Sequence, residues 1–250
     1  MKLKLTALKR ATLLPLNYQY AVASLIYATL GNASIDFAAR LHDDGFNVDG
    51  RKFKLFTFSR LTTVRARMTG DKLLLEDPTV LLQISSPVAE FIEHFVEGLF
   101  QSESFEIAGA HFRLEQAESL PQPTFTNRVG FRALSPMTES ISEGEKHPRF
   151  LAPEDDWSEI VGRNLLRKYR ALHGCDPSDT GLLWRWDQAY LADTAKRGKR
   201  ASVLTDIRGI KIKGWLAPFT VEGSMELIEM GYEAGFGSRN SMGFGMAEFK

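Results

Sequence analysis

Cysteine is nearly missing from this chain: Cys175 is the only one among 250 residues. A lone cysteine excludes an internal disulfide and any cysteine-based zinc cluster, and the scarcity fits a reducing, cytoplasmic setting. Net charge is missing too, because 31 Lys plus Arg balance 31 Asp plus Glu. The overall balance therefore gives no argument for a nucleic-acid partner, and only the local distribution of charge can. No apolar run reaches the ~18 residues that a membrane-crossing helix needs, so no membrane partner is expected. The first residues, Met-Lys-Leu-Lys-Leu-Thr, alternate like a strand and lack the apolar centre of a signal peptide. Several catalytic signatures are also lacking. No Gly-Lys-Ser/Thr follows the glycines, Gly235-x-Gly237 lacks the strand-before-helix setting of a dinucleotide fold, and neither His-Glu-x-x-His nor Gly-x-Ser-x-Gly occurs. Walker-type NTPase, zinc peptidase and serine hydrolase chemistry are left without support.

What is present is enough apolar residue for a sizeable core, 44% of the chain, in one large domain or two of average size. Pro121-Gln122-Pro123 is the best boundary, since paired prolines continue neither helix nor strand. It divides the chain into residues 1–120 and 124–250. In the first part, Leu3, Leu5 and Ala7 alternate with polar residues as a half-buried strand does. A helix follows, with Asn17 as N-cap, a core stripe of Tyr18, Val22, Leu25, Ile26 and Thr29, and Gly31-Asn32 as its end. Tyr20 and Tyr27 lie on its flank. Ser34 caps a second helix to His42, and Asp43-Asp44-Gly45 stops it. Phe53 to Ser59 reads as a strand with Lys54 on the face of Phe56 and Phe58, and with Lys52 on that face if it starts early. Strands at 62–68, 72–76 and 79–85 precede a helix opened by Ser86-Pro87, with His94 on its wet face. Strands near Phe105 and 111–117 close this part, giving the β-α-β-β-α-β order of a split ferredoxin-like unit.

The second part opens with a strand at 127–134, then a polar loop containing His147. A long helix marked by Trp157, Val161 and Leu165 carries Arg163, Arg167, Lys168 and Arg170, and ends at His173-Gly174. From Lys196 to Lys213 there are seven basic residues against one acid, and Lys211 and Lys213 alternate with Ile210 and Ile212, so one strand shows a basic face. A charge run is usually a solvated face, but this one lies close to a glycine cluster. Ser224 caps a short helix that Gly231 ends, a strand runs from Phe244 to Phe249, and Gly235, Gly237, Gly243 and Gly245 cluster where the two are joined. Average usage of ~7% predicts about one glycine in such a stretch. A loop of this kind either closes a helix and a bulged hairpin or aims several N–H groups at one anion. Arg239 and Asn240 at its centre suit phosphate oxygens and base edges. The plan is α+β, with two tandem ferredoxin-like halves and a C-terminal glycine-rich loop.

The string Gly-Tyr-Glu-Ala-Gly-Phe-Gly-Ser-Arg-Asn-Ser-Met-Gly-Phe-Gly-Met, residues 231–246, resembles the glycine-rich signature of the repeat-associated RNA-binding superfamily of CRISPR systems. It is most similar to that of the repeat-processing endoribonucleases, the Cas6 family. Leu-Asn-Tyr-Gln-Tyr-Ala-Val-Ala-Ser-Leu-Ile-Tyr, ending at Tyr27, resembles the first-helix motif of that family. Arg-Leu-His42 and Lys54-Leu-Phe-Thr-Phe-Ser resemble the segment with its histidine and lysine. The resemblance implies a catalytic Tyr27, His42 and Lys54, with Lys52 the alternative lysine. It also implies RNA contacts at Lys52, Lys211, Lys213, Gly235, Gly237, Arg239, Asn240, Gly243 and Gly245. It further implies cleavage of CRISPR precursor RNA within repeats without metal or cofactor, leaving a 2′,3′-cyclic phosphate and a 5′-hydroxyl. Expected partners are the repeat RNA, as precursor and as processed guide, and other CRISPR-associated proteins, for a monomer or homodimer. The alternative is a non-catalytic RNA-binding subunit of a surveillance complex.

Overall fold

The computed structural model describes residues 1–142 and 148–250. Strand β1 (Lys2–Ala7) buries Leu3, Leu5 and Ala7, as its alternation requires. After β2 (Thr12–Pro15), helix α1 (Gln19–Ala33) lays Val22, Ile26 and Leu30 on the core, and α2 (Ile35–Asp43) follows with the Ser34 side chain accepting the Phe37 N–H. A small hairpin, β3 (Phe46–Val48) with β4 (Arg51–Phe53), leads to β5 (Thr57–Phe58). A second hairpin, β6 (Ala66–Thr69) with β7 (Lys72–Leu75), pairs onto β2. Then come β8 (Thr79–Ser85), α3 (Ala89–Phe100), β9 (Phe105–Ile107) and β10 (Ala110–Glu118). The sheet runs β5-β8-β1-β10-β9.

The second half repeats the plan. β11 (Arg128–Ala133) and the short pair β12 (Ser140–Ile141) and β13 (Arg149–Phe150) precede α4 (Trp157–His173). Asp156 caps α4 at its start, and Gly174 closes it in the left-handed region. β14 (Leu182–Trp186), α5 (Gln188–Lys196), β15 (Ser202–Ile207) and β16 (Ile210–Trp215) follow. Last come β17 (Phe219–Gly223), α6 (Met225–Ala234) and β18 (Ala247–Phe249), with sheet order β14-β17-β11-β18. Taking the βαββαβ strands in chain order, both sheets read second, third, first, fourth, with β9 added at one edge. Both halves are ferredoxin-like, and in both a hairpin is inserted between the second and third of these strands. One hydrophobic cluster runs through both halves. No helix among the described residues is long and apolar enough to cross a membrane.

Several local expectations need correction. The strand expected from Phe53 to Ser59 breaks at Leu55, whose φ is 50°. From Leu55 to Ser59 every residue is buried, so Lys54, only half-buried, does not share a face with Phe56 and Phe58. Period two fails there because both faces of the segment are covered. Asn17 does not cap α1; its side-chain oxygen instead accepts the N–H of Asp206, 3.0 Å away on β15. α1 also continues through Gly31-Asn32. α3 starts after Pro87 rather than at it, with Val88 at the cap. His94 is not on an open face: its ring packs 5.1 Å from that of Phe37 on α2. α6 runs through Gly231, which is glycine because the Phe236 ring occupies the space where a side chain would sit, and Gly235, at φ 89°, ends the helix instead. The final strand is shorter than expected, β14 and α5 were not expected at all, and His147 lies outside the described residues.

Candidate active site

The site begins where α1, α2 and the β3–β4 hairpin meet. Tyr27 projects from α1 and His42 from the last turn of α2, and their rings stand edge to face with centroids 5.2 Å apart. The other side of the Tyr27 ring meets Phe56 at 5.7 Å. Burial pushes the Tyr27 phenol above its ordinary range, which suits it to donate a hydrogen bond rather than to act as a base. His42 Nδ1 lies 2.8 Å from Asp43 Oδ1, both side chains being well exposed at 68% and 72%. The hydrogen bond from His42 holds the Asp43 carboxyl below the usual carboxylate range. With Nδ1–H donated to a carboxylate, Nε2 is the nitrogen left to take or give a proton.

Gly45 allows the lysines to return to this point. Its φ is 58°, and a Cβ there would sit 2.4 Å from the Phe53 carbonyl oxygen, so only glycine lets the hairpin turn back so tightly. Lys52 and Lys54 then reach the C-terminal end of α2. Lys54 Nζ donates to the His42 carbonyl, and Lys52 Nζ donates to the Asp43 carbonyl at 2.9 Å and lies 3.6 Å from Asp44. The exposed carbonyls of a helix end attract such cations. Burial, then the neighbouring Lys52, lowers the grip of Lys54 on its proton, with Asp43 and Asp44 opposing. Both candidate lysines are thus at the end of α2, Lys54 beside His42 and Lys52 one residue further on.

Lys54 also lines a cleft of about 380 Å³ between the two halves, together with Lys52, Phe56, Asn164, Arg239 and Asn240. Its far wall is the glycine-rich loop, which takes the closed form of the two that its composition allows. Gly235, Gly237, Gly243 and Gly245 are buried. The N–H groups of Gly243 and Gly245 are already given to the carbonyls of Asn240 and Pro136. Thr57 of β5 donates to the Phe244 carbonyl at 3.0 Å, and a side chain on Gly243 would strike the Phe58 ring. The glycines let the loop press against the first half. Asn240 is buried as well, its amide nitrogen bonded to the carbonyls of Phe236 and Phe244 at 3.2 and 3.1 Å. Arg239, at φ 60°, is the exposed residue at its tip.

The loop is held from below by Lys168, which the sequence shows only as one of the basic residues of α4. Lys168 Nζ donates to the carbonyls of Gly235 and Gly237 and to Asn240 Oδ1 at 2.6, 2.7 and 2.7 Å. Burial favours its neutral form, and the charge of Glu139 opposes that shift. Glu139, itself pushed up by burial, accepts from Ser238 of the same loop at 2.9 Å. The signal was present: Trp157, Val161, Leu165 and Lys168 follow one helical stripe, so a lysine stands where an apolar residue is due. Lys211 and Lys213 sit elsewhere, exposed on β16, with Lys213 Nζ 5.1 Å over the Trp215 ring. Neither lines the cleft. Their hairpin is fastened to Asn17, just before α1, and to α1 itself by Arg208, which donates to the Tyr20 hydroxyl at 3.3 Å. Among the described residues no cluster of His, Cys, Asp and Glu is arranged to hold a metal ion.

This geometry can be set beside known proteins. The family profile described as CRISPR-associated protein Cas6, N-terminal, matches residues 13–118, and the one described as CRISPR associated protein Cas6, C-terminal, matches residues 120–249. The chain belongs to the Cas6 family. CRISPR-associated endoribonuclease Cas6 1 of Methanocaldococcus jannaschii is 33% identical over 241 residues, covering 94% of this chain and 87% of that protein. Among solved structures, a Cas6-related protein from Pyrococcus furiosus superposes with a TM-score of 0.84 at 25% identity, over 100% of this chain and 98% of the other. A RAMP protein described as binding different RNA substrates superposes at 0.81 and 25% identity, with the same coverage.

Proposed function

We propose that this Cas6-family chain cuts CRISPR precursor RNA within its repeats, without a metal ion, and releases guide RNAs. Residues 1–120 carry the cutting groups, and residues 124–250 carry the loop and basic strand that hold the strand. The observation that supports this most is the convergence of Tyr27, His42 and Lys54 at the end of α2, from three separate elements. The scissile step needs a base for the ribose 2′-hydroxyl, an acid for the departing 5′-oxygen, and a cation beside the crowded phosphorane. The 2′-oxygen attacks the neighbouring phosphorus as its proton leaves, the bond to the 5′-oxygen breaks, and that oxygen gains a proton. The products are a 2′,3′-cyclic phosphate and a 5′-hydroxyl.

In this reading His42 Nε2 carries one of the two proton transfers, each worth roughly 10²–10⁴ in rate. Tyr27, which holds its proton, orients the 2′-hydroxyl. Lys54 leaves the His42 carbonyl for the phosphoryl oxygens and offsets their charge, with Lys52 one residue along the same edge. Arg239 binds the backbone across the cleft. The repeat RNA and its processed guide are the partners, held by a monomer or homodimer, and other CRISPR-associated proteins join the product. Incubation with the repeat RNA encoded beside its gene, in EDTA, tests the reading. Cleavage at one bond with a cyclic phosphate on the 5′ fragment is expected. RNA that is retarded yet stays intact would instead make the chain a binding subunit.

A further inference from the structure

α4 carries more positive charge than its packing uses. Lys168 is spent on the glycine loop, but Arg163 and Arg167 line a second cleft of about 350 Å³ together with Arg51 of β4, Asn164 and Glu139. Arg51 and Asn164 line the first cleft too, so the two hollows share a wall and lie side by side. Among the described residues, neither Arg51 nor Arg167 makes an ion pair, and the only acid bonded to Arg163 is Glu159 at 3.4 Å, one turn back along α4. Arg167 feels this crowding: burial first, then Arg51 and Arg163, lowers its hold on its proton, with Asp49 opposing. Three guanidinium groups gathered around one lining carboxylate, Glu139, still repel one another, and an anion between them relieves the repulsion.

The walls also hold acceptors with no donor. Asn164 Oδ1 and Glu139 Oε1 are buried without a hydrogen-bond partner. A ribonucleotide supplies both kinds of group, phosphate oxygens for the guanidinium forks and hydroxyl or base N–H donors for an acceptor. A bare phosphate supplies only the first.

We propose that this second cleft is the subsite for the nucleotide adjoining the cut: Arg51 and Arg167 take its phosphate oxygens, and Arg163 holds the next phosphate at the rim. The assignment rests on the endoribonuclease reading, and it makes these arginines positioning residues that fix which bond reaches His42 and Lys54. The shared wall gives the strand a direct route from one cleft to the other.

The test uses Arg167→Gln and Arg163→Gln in the full chain, with repeat RNA carrying a 2′-deoxy sugar at the cut so that binding is read without cleavage. Each phosphate near the cut is replaced in turn by an uncharged methylphosphonate. Arg167→Gln should weaken binding about tenfold and lower the slope of log affinity against log salt by about 0.7. At one position adjoining the cut, the methylphosphonate should weaken wild type by a similar factor and Arg167→Gln hardly further, the non-additivity that marks a direct pair. Arg163→Gln should show the same at the next phosphate. Wild-type affinity in both variants, or additive losses at every phosphate, would overturn the subsite. If wild type cuts normal RNA while both variants bind as it does, only the subsite falls. If wild type binds but never cuts, the endoribonuclease reading falls and the binding data still decide the subsite.

Discussion

Lys54 and Lys168 both donate to backbone carbonyls, and they teach opposite lessons. Lys54 bonds the His42 carbonyl at the edge of an open cleft, where a phosphate can replace that partner. Lys168, only 2% exposed at the back of the same cleft, bonds the carbonyls of Gly235 and Gly237 and the Asn240 amide, three partners that hold it in place. Under the proposed function the same ammonium is a reagent in one place and a fastener in the other. Burial decides which. An exposed cation gains little from one carbonyl, whereas an interior one is needed by every acceptor it serves.

The largest contrast should come from removing both ammonium groups. Lys168→Met leaves two carbonyls and an amide oxygen without their donor and Glu139 without its counter-charge. Leaving a buried acceptor without its donor costs about 1–3 kcal/mol, so the urea midpoint should fall steeply and RNA binding with it. An unchanged midpoint would show that the loop does not depend on this lysine. Lys54→Ala should keep the wild-type midpoint and lose about 10²-fold in single-turnover cleavage, as expected when one charge-stabilising group is removed. Lys52→Ala should lose less; a larger loss than at Lys54 would exchange their roles.

A smaller effect separates both lysines from an acid away from the chemistry. Burial, then Glu229, raises Glu233 from 4.5 to about 7. Its folded value lies above its unfolded one, so its contribution is complete below pH 4.5 and is lost as pH rises through about 7. Melting temperature should therefore gain from Glu233 on acidification across that window, and Glu233→Gln should flatten this part of the profile. A variant with the wild-type slope would assign the dependence to other groups.

Much of the fold could be read along the chain because it is written in local periods. The alternation of Leu3, Leu5 and Ala7 and the stripe of Phe91, Phe95 and Leu99 name their elements without any partner. β14 escaped because it is short, and the exposed but apolar Leu183 blurs the alternation that buried Trp184 and Trp186 make with Arg185. In the site, the resemblance named Tyr27, His42 and Lys54, and the fold brings them together. The role of the glycine loop was out of reach because an open loop and a packed one have the same composition. What distinguishes them is contact with Thr57 and Phe58, nearly two hundred residues earlier. Lys168 was legible only as a lysine on an apolar stripe.

The most direct test is the single-turnover cleavage of repeat RNA by His42→Ala, in EDTA and with protein above its dissociation constant. His42 is exposed and supports no core contact beyond the Tyr27 ring, so folding and RNA affinity should stay at wild-type values while the rate falls at least about 10²-fold. A His42→Ala protein that cuts the same bond at an undiminished rate would contradict the account.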